Sequence, residues 1–258
     1  MSRNIGFIGS SGGVGVTSII REISRLLSTK KRVCVIDMNF NMNDLPLTMQ
    51  KSNFVDLKEF LVKTTNEEHV LFEINSNLSF VSTNAKNFNY ELYINEIECF
   101  VKNIELKFDF ILFDFGRKVK CLSVINEMVL VMNDSVSSIK NSSRIIHELK
   151  LLGQTEIFLI LNKARVISSI EKRVFGSDEI EKILMVEIKF VLPFYFKNNP
   201  FIYSYKNKTF KELVKAILNN KKFENFEMKK YRGIKGFFRR KIYGKFEQGI
   251  YWFEADCW

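Results

Sequence analysis

At 258 residues and 46% hydrophobic, the chain is long enough for one large α/β domain or two small ones, and too apolar to be disordered. No run approaches the roughly 18 apolar residues of a membrane-spanning helix. The start, Met1-Ser2-Arg3-Asn4, lacks the charged-then-apolar plan of a secretion signal. Cys34, Cys99, Cys121 and Cys257 form no Cys-x-x-Cys pair, which argues against zinc and against a disulfide framework and fits a reducing cytoplasm.

The first apolar run, Ile5 to Ile8, leads into Gly9-Ser10-Ser11-Gly12-Gly13-Val14-Gly15-Val16-Thr17-Ser18 and then a helix-forming segment, Ile19 to Leu27. Strand, glycine-rich turn and helix start make a phosphate cradle. Glycine lets the backbone turn tightly so that N–H groups converge on an anion, and the helix start adds unpaired N–H groups and a positive dipole end. The strict P-loop pattern is Gly, four residues, then Gly-Lys-Ser/Thr. Here Ser10 stands at the first glycine and Val16 at the lysine. The cradle keeps its shape and loses its usual charge.

Val33-Cys34-Val35-Ile36-Asp37 is a continuous apolar run ending in an acid, the pattern of a buried parallel strand. Strand C-terminal ends are where open α/β sheets place ligand chemistry. Val55 to Val62 reads as a short helix, Leu78 to Ser82 as a strand and Tyr90 to Leu106 as an amphipathic helix. Phe108 to Phe115 is a second apolar strand carrying an acid near its end, Asp114, with Gly116 in the turn beyond. Met128 to Met132 reads as a strand and Val136 to Leu152 as a helix ended by Gly153. Ile157 to Leu161 is a strand ending at Asn162-Lys163, and Glu187 to Leu192 is a strand stopped by Pro193. Thr209 to Leu218 has helical periodicity.

This alternation implies an α/β fold with a mostly parallel, doubly wound sheet flanked by helices and joined by right-handed crossovers. Residues 1–220 read as one nucleotide-binding domain and 221–258 as a separate basic tail. His69 and His147 stand alone, and no catalytic triad is visible.

The set of motifs resembles the deviant Walker A family of MinD and ParA ATPases, over about residues 3–220. That family's loop reads Lys-Gly-Gly-Val-Gly-Lys-Thr; this chain has Ser11-Gly12-Gly13-Val14-Gly15-Val16-Thr17. The family's Asp-x-Asp becomes Asp37-Met38-Asn39, and its Walker B acid falls on Asp114. Its adenine-contacting Asn matches Asn162, and the following strand-end proline matches Pro193. The resemblance implies ATP or ADP held by residues 11–18 with Asn162 and Pro193. It also implies Mg²⁺ on Thr17, with Asp37 and Asp114 holding it through water. In the family, the lysine at the Ser11 position reaches a dimer partner's phosphates, and the one at the Val16 position contacts its own nucleotide. Losing both removes two cations from a site whose chemistry runs on positioned charge. Weak or absent hydrolysis is therefore expected, with an active ATPase using a substitute cation, such as Lys163 or a partner's Arg, as the alternative. Loss of both lysines with the glycines kept looks most like the CpaE/TadZ pilus-assembly branch.

The net charge of +10 suits nucleic acid or anionic lipid. Residues 221–258 hold ten Lys/Arg against five Asp/Glu, about half the excess in the last seventh of the chain. Within 229–246, Tyr231, Ile234, Phe238, Ile242 and Phe246 recur at spacings of three and four, so they share one helical face. Phe237 sits beside that stripe. Eight basic residues, Arg239 and Arg240 among them, and no acid fill the segment. This is the plan of a helix lying in a membrane interface among anionic headgroups, and it resembles the membrane-targeting C-terminus of MinD. A helix packed on the domain and a nucleic-acid-binding tail are the other readings that suit it. The expectation is a cytoplasmic, homodimerising protein at the inner face of the membrane. It would place cell division, a pilus or a flagellum with an unidentified protein partner. The rival expectation is a DNA-partitioning scaffold.

Overall fold

The computed structural model describes residues 2–39, 55–63, 65–83, 88–118, 123–154, 156–165, 174–193, 210–215 and 217–218. The tail residues Tyr231, Ile234, Phe237, Phe238, Arg239, Arg240, Ile242 and Phe246, and the boundary near 221, lie outside them.

The elements run β1 (Arg3–Gly9), α1 (Val16–Leu27), β2 (Val33–Asp37), α2 (Leu57–Leu61), α3 (Glu67–Val70), β3 (Phe72–Asn75), β4 (Leu78–Val81), α4 (Ile94–Ile104), β5 (Phe110–Asp114), β6 (Glu127–Met132), α5 (Val136–Leu151), β7 (Ile157–Ala164), α6 (Ser177–Leu184) and β8 (Ile188–Pro193). Helical backbone returns at 210–215 and 217–218. The strands form one sheet in the order β3-β4-β2-β5-β1-β6-β7-β8. Every pairing is parallel except the β3–β4 hairpin.

The central strands are buried on both faces, which is why they read as unbroken apolar runs. Side chains alternate between the two faces. Along β5, Ile111 and Phe113 join one core while Phe110 and Leu112 join the other. The first core packs against α4 through Ile97, Phe100, Val101 and Ile104, and against α5 and α6. The second packs against α1 through Ile19, Ile20, Ile23 and Leu27, and against Phe210, Leu213 and Val214. Each such side chain removed from water contributes roughly 1.5–3 kcal/mol. This is the doubly wound, mostly parallel architecture that the sequence implies.

The differences are local. The helix expected over Tyr90 to Leu106 is three pieces, with 3₁₀ turns at Tyr90–Tyr93 and Glu105–Lys107 flanking α4. Tyr90 is buried with its hydroxyl on Asp56, and the Asn89 side chain accepts from the Glu91 N–H at 3.1 Å. Those contacts fix the first turn in a tighter winding. β7 runs on to Ala164 because Ala164 still pairs with Pro193 of β8. The four-residue β3 and the short helices α3 and α6 have no counterpart among the sequence expectations.

Candidate phosphate-binding site

The C-terminal ends of β2 and β5 bring two acids side by side. Asp37 and Asp114 are register partners across the two strands, and each is only 1% exposed. Buried carboxylates need donors, and the backbone supplies them. Asn39 N–H donates to Asp37 Oδ1 at 2.9 Å, and Gly116 N–H donates to Asp114 Oδ1 at 2.9 Å. The Thr17 hydroxyl, in the first turn of α1, donates to Asp114 Oδ2 at 2.8 Å. The Thr83 hydroxyl reaches the Asp37 carbonyl at 2.5 Å.

The turn after Asp114 is fixed by its neighbours. Gly116 has φ +59°, and a Cβ there would fall 2.5–2.8 Å from the Asn39 side-chain amide. Only glycine fits both constraints. The same residue's carbonyl accepts from Gly9 N–H at 2.7 Å, so this turn is tied to the start of the loop.

The loop itself is stitched at every side. Ser10 N–H donates to the Val131 carbonyl at 2.9 Å. The Ser10 hydroxyl pairs with that of Ser138 in α5 at 2.6 Å, both buried. From β7, Asn162 Nδ2 donates to the Val14 carbonyl at 2.6 Å, and Lys163 Nζ donates to the Gly13 carbonyl at 2.5 Å. A trans peptide points its N–H opposite to its C=O. Holding these two carbonyls from the β7 side therefore turns the N–H groups of Val14 and Gly15 the other way. Lys163 itself has φ +56°, an uncommon conformation outside glycine. Gly15 caps the N-terminus of α1, and its φ of +98° is left-handed.

The expected nucleotide contacts divide into two groups. Gly12, Gly13 and Ser18 are exposed, and Ser11, Gly15 and Thr17 are half-buried. Val14 and Val16 are not on that surface: both are buried in the core beneath the loop. A Cβ on Gly9 would lie 2.9 Å from Val16 Cγ2 and 3.0 Å from Val14 Cγ2. The valine in the lysine position is thus a core side chain. Asn162 is engaged with the loop backbone. Pro193 lies at the end of β8, in register with Ala164.

One residue at the site was not anticipated. Arg117, exposed and next to Gly116, sits over the loop: a Cβ on Gly12 would lie 3.4 Å from Arg117 Nη1 and 3.7 Å from its Cζ. The only sequence signal is its place directly after the turn glycine.

Thr17, Asp37 and Asp114 offer a hydroxyl and carboxylate oxygens, the hard donors that suit Mg²⁺, and the Thr17–Asp114 bond puts two of the three in contact. The donor set therefore fits the metal that the resemblance implies. Among the described residues no group of three or more His, Cys, Asp or Glu is placed to hold a metal. No helix of those residues is long and apolar enough to cross a membrane.

No family model matches the sequence. The chain is 25% identical over 181 residues to an uncharacterised ATP-binding protein of Methanocaldococcus jannaschii, covering 65% of this chain and 68% of the relative. It is 23% identical over 204 residues to a putative septum site-determining protein MinD of Emiliania huxleyi, covering 75% of each. Its fold is similar to that in the MinC:MinD cell division complex of Aquifex aeolicus, with a TM-score of 0.73 at 20% identity, over 84% of this chain and 96% of that one. A ParA family ATPase of Chlorobium tepidum superposes with a TM-score of 0.69 at 18% identity, over 83% and 99%. MinD of Pyrococcus horikoshii, solved complexed with Mg-ADP, has a TM-score of 0.69 at 19% identity, over 84% and 96%.

Proposed function

We propose, from the MinD/ParA P-loop fold that this chain has, that it is a nucleotide-binding spatial organiser attached peripherally to the membrane, with weak or absent ATP hydrolysis. The observation that carries the reading is the loop held from both sides, its N–H groups turned away from β7 while Thr17 sits on Asp114. Such a cradle takes the phosphates of ATP or ADP through backbone donors and the α1 dipole. Thr17 and Asp114 would hold Mg²⁺, with Asp37 beside them, and the ion would neutralise phosphate oxygens. The Mg-ADP complex of the Pyrococcus horikoshii protein supports this ligand class.

The core position of Val16 supports weak turnover. Helix α1 carries no cation where phosphoryl transfer draws on one. Membrane attachment rests on the basic, aromatic-striped segment 229–246. Each of its cations near an anionic surface is worth about 1 kcal/mol, and dimerisation would join two weak anchors into one avid one. The MinC:MinD complex supports a protein partner. Cell division, a pilus or a flagellum is the process such a protein would place.

The test is co-sedimentation with anionic phospholipid vesicles, with and without ATP–Mg²⁺. It compares the full chain with an Ile234→Asp/Ile242→Asp variant. The full chain is expected to pellet, more so with ATP, and the variant to stay in the supernatant. Equal behaviour of the two, or no pelleting of either, sinks the membrane reading. Salt-sensitive DNA binding that survives the same substitutions would favour a DNA-partitioning scaffold instead.

A further inference from the structure

We propose that Arg117 supplies the cation that the loop's own sequence has lost, contacting the distal phosphates of a nucleotide bound over Gly12. The inference rests on the nucleotide-binding reading and deepens it. Three observations point the same way.

The first is placement. The guanidinium lies against Gly12, on the exposed stretch of the loop. Lys163 grips the loop by the Gly13 carbonyl, whose N–H partner across the peptide points oppositely. That puts Lys163 behind the cradle, as a positioning residue, and leaves Arg117 to face the anion. The second is rigidity. Arg117 follows Gly116, which is wedged against Asn39 and bonded through its carbonyl to Gly9 N–H at 2.7 Å. The preceding acid, Asp114, holds the Thr17 hydroxyl. The turn that carries Arg117 is therefore tied to the loop at its start and at its helix. The third is charge. Lys118, one residue on, is paired with Glu91 at 3.3 Å, whereas Arg117 has no carboxylate partner among the described residues. A guanidinium so placed, with a planar fork of donors, suits phosphate oxygens better than a point charge does.

This moves the cation from α1 to the turn after β5. Its contact is made with phosphates beyond the first, so it should distinguish ATP from AMP. The experiment is calorimetric titration of the full chain with ATP–Mg²⁺ and with AMP, for the natural protein, Arg117→Gln and Arg117→Lys. The expected result is about a tenfold loss of ATP affinity in Arg117→Gln, the size of one charge-assisted contact. AMP affinity should be unchanged, and Arg117→Lys, which keeps the charge but not the planar fork, should recover part of the loss. A structural role would weaken both ligands together. If Arg117→Gln binds ATP as the natural protein does, or if AMP weakens equally, the assignment is overturned while nucleotide binding stands. If the natural protein binds no ATP, both fall.

Discussion

Replacing Gly15 by alanine tests the geometry on which the site depends. Gly15, the N-cap of α1, has φ +98°, a conformation costing an L-residue roughly 1–2 kcal/mol. The added Cβ would lie 2.6 Å from Asn162 Nδ2, well inside contact distance. Asn162 would have to move and give up its 2.6 Å bond to the Val14 carbonyl, a further loss of about 1 kcal/mol. The sum, about 2–3 kcal/mol, corresponds to a fall in melting temperature of roughly 5–10 °C for a chain of this size. Thermal unfolding followed by circular dichroism reads it directly. The cycle with Asn162→Ala separates the two contributions. In that background the clash is gone, so Gly15→Ala should cost only the backbone part, leaving a coupling of about 1 kcal/mol. A melting temperature within about 2 °C of the natural protein's, set against that estimate, would refute the left-handed start of α1. Equal cost in both backgrounds would refute the Asn162 contact.

Two further outcomes bear on the same region and the core. Val16→Ala should lower stability by about 1–2 kcal/mol, because it trims a buried side chain. It should leave ATP affinity unchanged, so a loss of affinity with no loss of stability would place Val16 in the cradle instead. Burial pushes the Cys34 thiol far above its ordinary value, so it stays protonated and inert in the folded state. Alkylation at pH 8 with peptide mapping should label the exposed Cys99 and spare Cys34. Labelling of both at one rate would contradict the burial.

The central sheet was readable because β1, β2 and β5 are covered on both faces, so their apolar runs stand out, and β2 and β5 each end in an acid. Asp37 and Asp114 could be placed at strand ends from that alone, and the structure brings them into register. β3 was not readable. It is an edge strand of four residues whose exposed positions, Glu73 and Asn75, look like loop. The absence of lysine at Val16 was plain in the sequence, but not that the valine is enclosed. Enclosure depends on Gly9, Val14 and the second core meeting beneath the loop. Arg117 was invisible for a related reason. Its direction is set by the Gly116 turn and by Asn39, which is far away in the chain.

The enclosed Val16 also has an evolutionary consequence. A lysine lost from a solvent-facing position can return by a single substitution, since nothing else has adjusted. A valine that has joined the packing under the loop cannot be exchanged so freely. A lysine stem must then fill a space shaped by Val14 and by the missing Cβ of Gly9, and its ammonium must find an exit from the core. A Val16→Lys substitution is therefore expected to need a companion change at Val14 or its neighbours before the core tolerates it.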